Sequence, residues 1–591
     1  MAVKRRIPVP QERGGGVFFY PNEDQAGRSM SWKLKEKARI LLSEERGTVY
    51  KSAGGKISVA LIYPNTYHVG MSNLGFLAIY YYLNAHPFIL CERAFLPNPE
   101  DLPEYQRTQS PLFSLESGRL LSSFDVLAFS VSYENDYLNV LKILDLSQVP
   151  LLAEQRTPND PLIFMGGICA LSNPEPLADF VDLVFLGEGE DTFPQIIERF
   201  QVQNFGSEGG RETFLAEVAQ VEGVYVPRFY HFFYDKGGFL QGLDVEPPAP
   251  PRVRKHHVRD VDRYPILGYV RTPHTEFGDM LLLEINRGCK RSCRFCLTGE
   301  VYRPFRFRSK EVLLHSVRDH ALPSEKIGLV GACISDHPEI EDLCKDLLEN
   351  GYLLSASSLR VGSLSDRLLD LLAQSGQKTI TLAPEASSER LRSLLGKPLS
   401  EAELYSTIEG IQKHGIPNLR FYFMVGLPTE REEEIEGIAA TAKKAKHLML
   451  AASKDSRRLG QITVSVNAFV PKPWTPFQWL GLEEVGRLQQ KLGRVKKALQ
   501  GIGNIACFHD QPQWAYIQAL LARGDRRVGE LLLLVLRLGG QWKRAAREWN
   551  FNPDFYVYRS RPMQEVFPWD HLDVGVRKEE LLEEFQRASL S

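Results

Sequence analysis

The stretch EINRGCKRSCRFCLTG, residues 284–299, decides how this chain is read. Its cysteines, Cys289, Cys293 and Cys296, are spaced C-x3-C-x2-C and follow directly on an apolar run, residues 280–285, that reads as a strand. Thiolate sulfur is the preferred ligand of iron in iron–sulfur clusters, and three protein ligands on a four-iron cube leave one iron open to an outside ligand. A structural zinc site instead wants four closed ligands, usually as paired knuckles. No second C-x-x-C accompanies this loop, and the nearest later histidines, His315 and His320, fall in a helical pattern. The expected group is a [4Fe–4S] cluster held by Cys289, Cys293 and Cys296.

Downstream of the loop, strand patterns recur at residues 327–330, 353–356, 379–382, 420–425 and 461–466, with helical patterns such as 340–350 and 387–395 between them. Six βα units over residues 276–504 suit a partial (β/α)6 barrel better than an open sheet. Upstream, apolar runs at 57–63, 126–131, 162–165 and 183–186 alternate with helical stretches near 135–145 and 192–200. That alternation predicts a parallel, doubly wound Rossmann-like sheet over residues 56–243, ending in a hairpin-like stretch at 223–242. The run EPPAPP, residues 246–251, can continue neither element and opens a linker, 244–275. Residues 1–55 read as an N-terminal extension and 505–591 as a mainly helical C-terminal region, with LLLLVLRL (531–538) as a buried helix. The fold class is thus α/β, in several domains, as 591 residues imply.

Composition narrows the setting. The chain carries 71 basic and 73 acidic residues, a formal charge of -2, so no global excess points to nucleic acid or to a membrane surface. The basic start (Lys4, Arg5, Arg6) is followed by no long apolar run, and no uncharged run approaches the ~18 residues of a membrane span. Eight cysteines without a regular framework, five of them scattered, agree with a cytoplasmic protein and no membrane partner.

Beyond the chemistry of its ligands, the C-x3-C-x2-C loop, with Phe295 just before the last cysteine, resembles the signature of the radical S-adenosylmethionine (SAM) superfamily. The segments TLAPEASSERLRSLLGK (381–397), YFMVGLPT (422–429) and FVPKPWTPFQW (469–479) are similar to the core of its methylthiotransferase and cobalamin-dependent branch. The resemblance runs from Ile57 to the C-terminus, where FPWDHLDVGV (567–576) is similar to the corresponding stretch of a group with a cobalamin-binding-like N-terminal domain. It implies SAM contacts: Phe295 with adenine, chiefly through its backbone; Gly331 and Ala332, in a segment reading VGA rather than GGE, with the amino group; Arg360 and Arg390 with the carboxylate; Glu385 with the ribose or amino group. A guanidinium fork suits a carboxylate. Each of these polar residues equally suits an ordinary ion pair.

The same resemblance makes cobalamin a possible second cofactor. No D-x-H-x-x-G loop is present, so His68, in the loop after the first strand, stands in the right region with the wrong spacing for a cobalt ligand. Ser130, Ser132, Gly166, Gly167, Gly187 and Glu188 sit at strand ends where a nucleotide tail passes near backbone; the same glycines also serve the tight turns of any α/β sheet. Trp569, Asp570 and His571 read either as substrate contacts or, more simply, as a packed aromatic core. The expectation is a radical SAM enzyme supplied with electrons by an external donor, modifying an unactivated position of a small molecule, RNA or protein. One version is cobalamin-dependent C-methylation, another a cobalamin-free, methylthiotransferase-like modification with the N-terminal domain binding substrate. Against methylthiotransfer, Cys91 and Cys169 are too few and too far apart for a second cysteine triad. Basic stretches at 252–259 and 303–310 could meet phosphates, but a solvated face is the default expectation, and no feature selects an oligomeric state.

Overall fold

A computed structural model describes residues 30–202, 209–356, 359–452 and 460–590. Part of the predicted N-terminal extension, residues 1–29, lies outside the described residues; the rest includes a helix, Trp32–Ser43. The first sheet is built from β1 (Ile57–Tyr63), β2 (Ile89–Phe95), β3 (Val126–Ser130), β4 (Leu162–Gly166), β5 (Leu183–Phe185) and β6 (Val224–Tyr225). Their order is β2-β1-β3-β4-β5-β6, parallel except for the antiparallel last pair. The predicted doubly wound sheet is therefore present. All seven residues of β1 are buried, as expected of a central strand covered on both faces.

One strand, β2, escapes an apolar-run reading because it carries Glu92 and Arg93 at its centre. Both are buried. Arg93 pairs with Glu45 and Glu116, each at 2.6 Å, and Glu92 accepts from the hydroxyls of Ser114 and Ser117 at 2.5 and 2.6 Å. The charges are tolerated there because each finds its partner.

A hairpin, β7 (Tyr230–Tyr234) and β8 (Leu240–Val245), follows the sheet as predicted. The linker is not free. Its strand β9 (Val253–Arg254) pairs in parallel with a late strand, Leu572–Asp573, so the C-terminal region closes back over it.

The second unit begins with β10 (Leu281–Glu284). A short pair, β11 (Asn286–Arg287) and β12 (Arg306–Phe307), brackets the cysteine loop. The parallel strands β13 (Lys326–Val330) and β14 (Leu353–Ala356) join β10; β15 (Thr379–Glu385), β16 (Asn418–Val425), β17 (Ile462–Ala468) and β18 (Ile505–His509) form a second, four-stranded parallel sheet. All six predicted barrel strands are present. The sheet also runs one strand past residue 504: β18 pairs in register with β17, whereas its residues read in sequence as the start of the helical region.

Burial along β16 alternates strictly. Leu419, Phe421, Phe423 and Val425 pack beneath the helices, while Arg420 and Tyr422 stand exposed on the other face. Register places Tyr422, Ser465 and Phe508 side by side, with Phe508 61% and Tyr422 37% exposed. The concave face of this half of the sheet is open.

The C-terminal helices dock on the first unit. Val528–Arg537 buries Val528, Leu531, Leu532 and Val535, as its apolar run predicts, and Asn173 donates to the carbonyls of Ala522 and Gly524. Among the described residues, no helix is long and apolar enough to cross a membrane.

At the strand-order reversal of the first sheet, Asn65 after β1 and Asn139 donate to Asp136 beyond β3, at 2.8 and 3.1 Å. Burial pushes the Asp136 carboxyl up to about 6. The folded state therefore favours its protonated form, so this contribution to stability is intact below about pH 4 and lost as pH rises through about 6. Asp136→Asn keeps an acceptor for Asn65 without the charge. Urea unfolding of variant and parent should show a gap in the variant's favour that opens between pH 4 and pH 8 to on the order of 2–3 kcal/mol; a gap independent of pH would refute this assignment.

Candidate functional site

The carboxyl ends of the two sheets face one another, and between them lies a cavity of about 550 Å³. That is within the usual range of small-molecule and cofactor sites, at the crevice where open α/β sheets bind ligands. The first sheet contributes Ser130, Ser132, Gly166, Gly167, Gly187 and Glu188; the barrel contributes Leu282, Asn286, Gly288, Thr298, Tyr302, Gly331 and Ala332. Two groups of residues singled out separately in the sequence thus line one space.

The glycines have different duties. A Cβ on Gly167 would lie 2.4 Å from the Val131 carbonyl oxygen, and one on Gly187 would lie 2.0 Å from that of His256; both φ angles are positive, +98° and +127°. These two serve close backbone packing, the plainer of the two readings. At Gly166 the nearest atom to a Cβ is 3.9 Å away, so the missing side chain leaves space on the cavity wall.

Glu188 is not free for a ligand. Its carboxylate receives Arg306 at 2.6 and 2.8 Å, Arg287 at 3.1 Å and the Val258 backbone N–H at 2.8 Å. Arg287 also reaches Glu190 at 2.7 Å and Glu284 at 2.9 Å, and Glu284 takes Arg308 as well. Burial alone would raise the Glu284 carboxyl, but Arg287 and Arg308 hold it at about 2. Much of the basic stretch 303–310 is therefore consumed inside the molecule rather than solvated, and Lys255 of the other basic stretch donates to the carbonyls of Val301 and Arg303, both at 2.8 Å.

His68 stands outside the cavity. It lies on the short helix Tyr67–Met71, its ring is 54% exposed, and it faces Glu276 at 3.7 Å. The loop that follows β1 curls into a helical turn that aims this side chain at solvent. His68 is not among the residues that line the cavity.

The cysteine loop leaves β11 at Gly288 and ends where Cys296 caps the helix Leu297–Val301. Cys289, Cys293 and Cys296 are free and partly buried. The loop is held from behind by the segment after β15: the Arg294 N–H donates to Leu395 at 2.9 Å, its guanidinium to Leu394 at 2.8 Å, and a Cβ on Gly396 would lie 2.7 Å from the Ser292 carbonyl. Burial pushes the Cys293 thiol up to about 11, against the opposing pull of Lys397. Burial raises Cys289 too, against a backbone N–H from Arg291.

Three thiols within mutual electrostatic reach, with a backbone donor and a lysine beside them, suit an anionic iron–sulfur group. Among the described residues no three His, Cys, Asp or Glu side chains, these three cysteines included, gather closely enough for one ion; His315 and His320, the nearest later histidines, lie on the helix Lys310–His320, where His315 faces Asp319.

The remaining SAM candidates separate. Phe295 packs its ring into the apolar group of Leu391, Leu394, Leu395 and Phe477. Glu385 ends β15 with a positive φ of 66° and pairs with Lys397 at 3.0 Å, both close to Cys293. Such backbone strain in a non-glycine residue is held where the surroundings impose it, commonly at functional sites. Arg360, beyond β14, has a buried Nη1 with no partner in the protein. Arg390 is spent: it donates to Glu434 at 2.7 and 3.1 Å and to Thr429 at 2.9 and 3.0 Å, leaving no open fork for a carboxylate.

Trp569, Asp570 and His571 lie away from the cavity. Trp569 donates to Gln478 at 3.1 Å, Asp570 pairs with Lys578 at 2.5 Å, and His571 sits among Tyr225, Tyr230 and Phe232, where burial pushes its pKa down to about 3. They form packed core. Lys397 and Asn286 were overlooked in sequence although both lie in quoted segments; neither residue type announces a role there.

Fold and site together define a class: a parallel partial barrel carrying a three-cysteine loop, joined at its carboxyl end to a doubly wound sheet. Residues 75–227 match the family model of the N-terminal region of radical SAM proteins, and residues 283–442 match that of the radical SAM superfamily. An uncharacterized protein of Methanocaldococcus jannaschii is 31% identical over 484 residues, 80% of this chain and 90% of its own. The ribosomal protein uS12 methylthiotransferase RimO of Thermodesulfovibrio yellowstonii is 26% identical over 204 residues, 32% of this chain and 48% of its own. Among solved structures, the radical SAM methyltransferase TsrM from Kitasatospora setae, with cobalamin and [4Fe–4S] cluster bound, is similar at TM-score 0.46 and 13% identity over 71% of this chain and 74% of that one. The chain belongs to the radical SAM superfamily and is a radical SAM enzyme.

Glu188→Ala would leave Arg306 buried without a carboxylate and weaken the joint between the two sheets. The expected loss is about 3–5 kcal/mol in equilibrium unfolding. Arg306→Ala, which leaves Glu188 paired with Arg287, should cost less; equal or reversed losses would show that Glu188 carries no more of the joint than Arg306.

Proposed function

We propose that this enzyme holds a [4Fe–4S] cluster on Cys289, Cys293 and Cys296, binds SAM beside it, and holds cobalamin in the cavity between the sheets to methylate an unactivated carbon. The observation that carries the reading is the shared cavity: the space bounded by Ser130, Ser132 and Gly166 on one side is bounded by Gly288, Thr298 and Gly331 of the cysteine-loop side on the other. The similarity of the barrel segments to cobalamin-dependent enzymes supports it. When bound, the cluster and cobalamin supply the electron that cleaves the sulfonium of SAM and the methyl group that is transferred, with an external donor restoring the electron.

The chain's own part is positioning. Arg360 offers an unpaired buried guanidinium N–H to a carboxylate. Glu385, held by Lys397, presents a fixed carboxylate close to Cys293 for a ribose hydroxyl or an ammonium. Phe295 stays anchored in the apolar cluster, which leaves its backbone to meet adenine. Apolar Leu61, Phe164, Phe185 and Leu282 wall the cavity and keep water from the reacting atoms. No histidine is among the described residues that line the cavity. A substrate would enter along the open face bearing Tyr422 and Phe508.

A cobalamin-free, methylthiotransferase-like reaction is the second reading, favoured by the match to RimO. It requires further cysteine ligands for a second cluster, whereas Cys91 and Cys169 are buried, one in β2 and one in the helix Ile168–Ser172.

Anaerobically purified enzyme, reconstituted and supplied with cobalamin, should show a cobalamin absorption spectrum that persists through gel filtration, and about four irons per chain. A colourless cavity with eight irons would favour the second reading. Failure to release 5′-deoxyadenosine, methionine or S-adenosylhomocysteine from SAM under reduction would sink both.

A further inference from the structure

Asn286 is the residue after Ile285 at the end of β10, three positions before Cys289, and is 2% exposed. Its Nδ2 donates to the Cys333 carbonyl at 2.9 Å. That bond fixes the amide, because the reversed orientation would set two oxygens against each other. Oδ1 is therefore turned the other way and has no hydrogen-bond partner in the protein. Of the described residues lining the cavity, Asn286 is the one with a buried side-chain acceptor left unpaired. A buried acceptor is costly to leave empty, so this one marks a donor supplied from outside.

The neighbourhood says what kind of donor. Gly331 packs against the amide: a Cβ there would lie 2.5 Å from Oδ1, so glycine at this position keeps the acceptor open. The carboxylates around it are already committed, Glu284 to Arg287 and Arg308, Glu188 to Arg287 and Arg306, Glu190 to Arg287. The segment after β13 reads Val330-Gly331-Ala332 and brings no carboxylate of its own to this place. Two strands across, beyond β14, Arg360 holds a buried N–H donor without a partner. The loops after β13 and β14 are joined by Ser335 and Ser363, whose hydroxyls are 2.6 Å apart. An unpaired acceptor after β10 and an unpaired donor after β14 complement the two charges of an α-amino acid group.

We infer that Asn286 Oδ1 accepts a hydrogen bond from the α-amino group of SAM, at a place where this chain carries Ala332 and no carboxylate. The inference rests on the reading of the chain as a SAM-binding radical enzyme. It sets one fixed, neutral amide oxygen against an amino N–H.

The test uses full-length enzyme with its cluster reconstituted anaerobically. Binding of SAM and of a SAM analogue lacking the amino group is measured by equilibrium dialysis, and by the change each produces in the electron paramagnetic resonance spectrum of the reduced cluster. The parent enzyme should prefer SAM, both because the amino group can ligate the open iron and because of this hydrogen bond. Asn286→Leu should lower that preference about threefold or more, the scale of one hydrogen bond, with little change in affinity for the analogue. Asn286→Ala, which removes the amide without adding bulk, should lower it likewise and tests the assignment even if the leucine variant fails to fold. A folded leucine or alanine variant that discriminates as the parent does overturns the inference while leaving SAM binding in place. A parent enzyme that binds neither ligand overturns the underlying reading and the inference with it.

Discussion

The Arg287 guanidinium is the joint on which the site depends. It lies buried between Glu188 and Glu190 of the first sheet and Glu284 of the barrel, two residues before Cys289. Taking charges out of water is expensive, and a buried ion pair of this sort is weak evidence for stability. What it supplies is orientation. A charge that has lost its water must find its partners, and these partners stand on two different sheets. The carboxyl ends of those sheets can meet in few other ways without stranding a charge. The cavity between them follows from that meeting, and the cysteine loop is delivered to its rim by the same residue.

The packing behind the loop works by different means. Gly396 lies so close to Ser292 that a side chain would not fit, and a backbone hydrogen bond from Arg294 to Leu395 completes the contact. The segment after β15 is thus tied to the loop through main-chain atoms, while its side chains Glu385 and Lys397 remain turned toward Cys293. Strain at Glu385 is the local cost of bringing that carboxylate round. Rigid backbone contacts and a few committed charges leave the three sulfurs as the soft, unpaired part of the structure.

Much of this was legible in the residues. The C-x3-C-x2-C loop after a strand, the alternation of strands and helices, and the glycines and serines at strand ends all describe local features, and local features are what periodicity and spacing report. The strand β2 was hidden because Glu92 and Arg93 break an apolar run; only the distant partners Glu45 and Glu116 make that segment a strand. The strand β18 was hidden because IACFH is short and lies at a change of pattern; its pairing with β17 decides it. Arg390 and His68 carry suitable chemistry at suitable places in the chain, and both fail for reasons of direction, one bound to Glu434 and Thr429, the other turned to Glu276. Asn286 illustrates the converse. Nothing in an asparagine announces an empty acceptor; that depends on the Cys333 carbonyl, 47 residues away, claiming its other half.

The alternation along β16 has a consequence for how such an enzyme can change. Leu419, Phe421, Phe423 and Val425 carry the packing, and Arg420 and Tyr422 between them carry none of it. In β17, Val464 and Val466 are buried on either side of Ser465, and Phe508 stands exposed beside it. Substitutions on the open face can therefore accumulate without touching the core beneath or the cysteine loop at the other end of the sheet. A lineage could exchange one target molecule for another by rewriting a handful of alternate positions, and the machinery that generates the reactive species would be inherited unaltered.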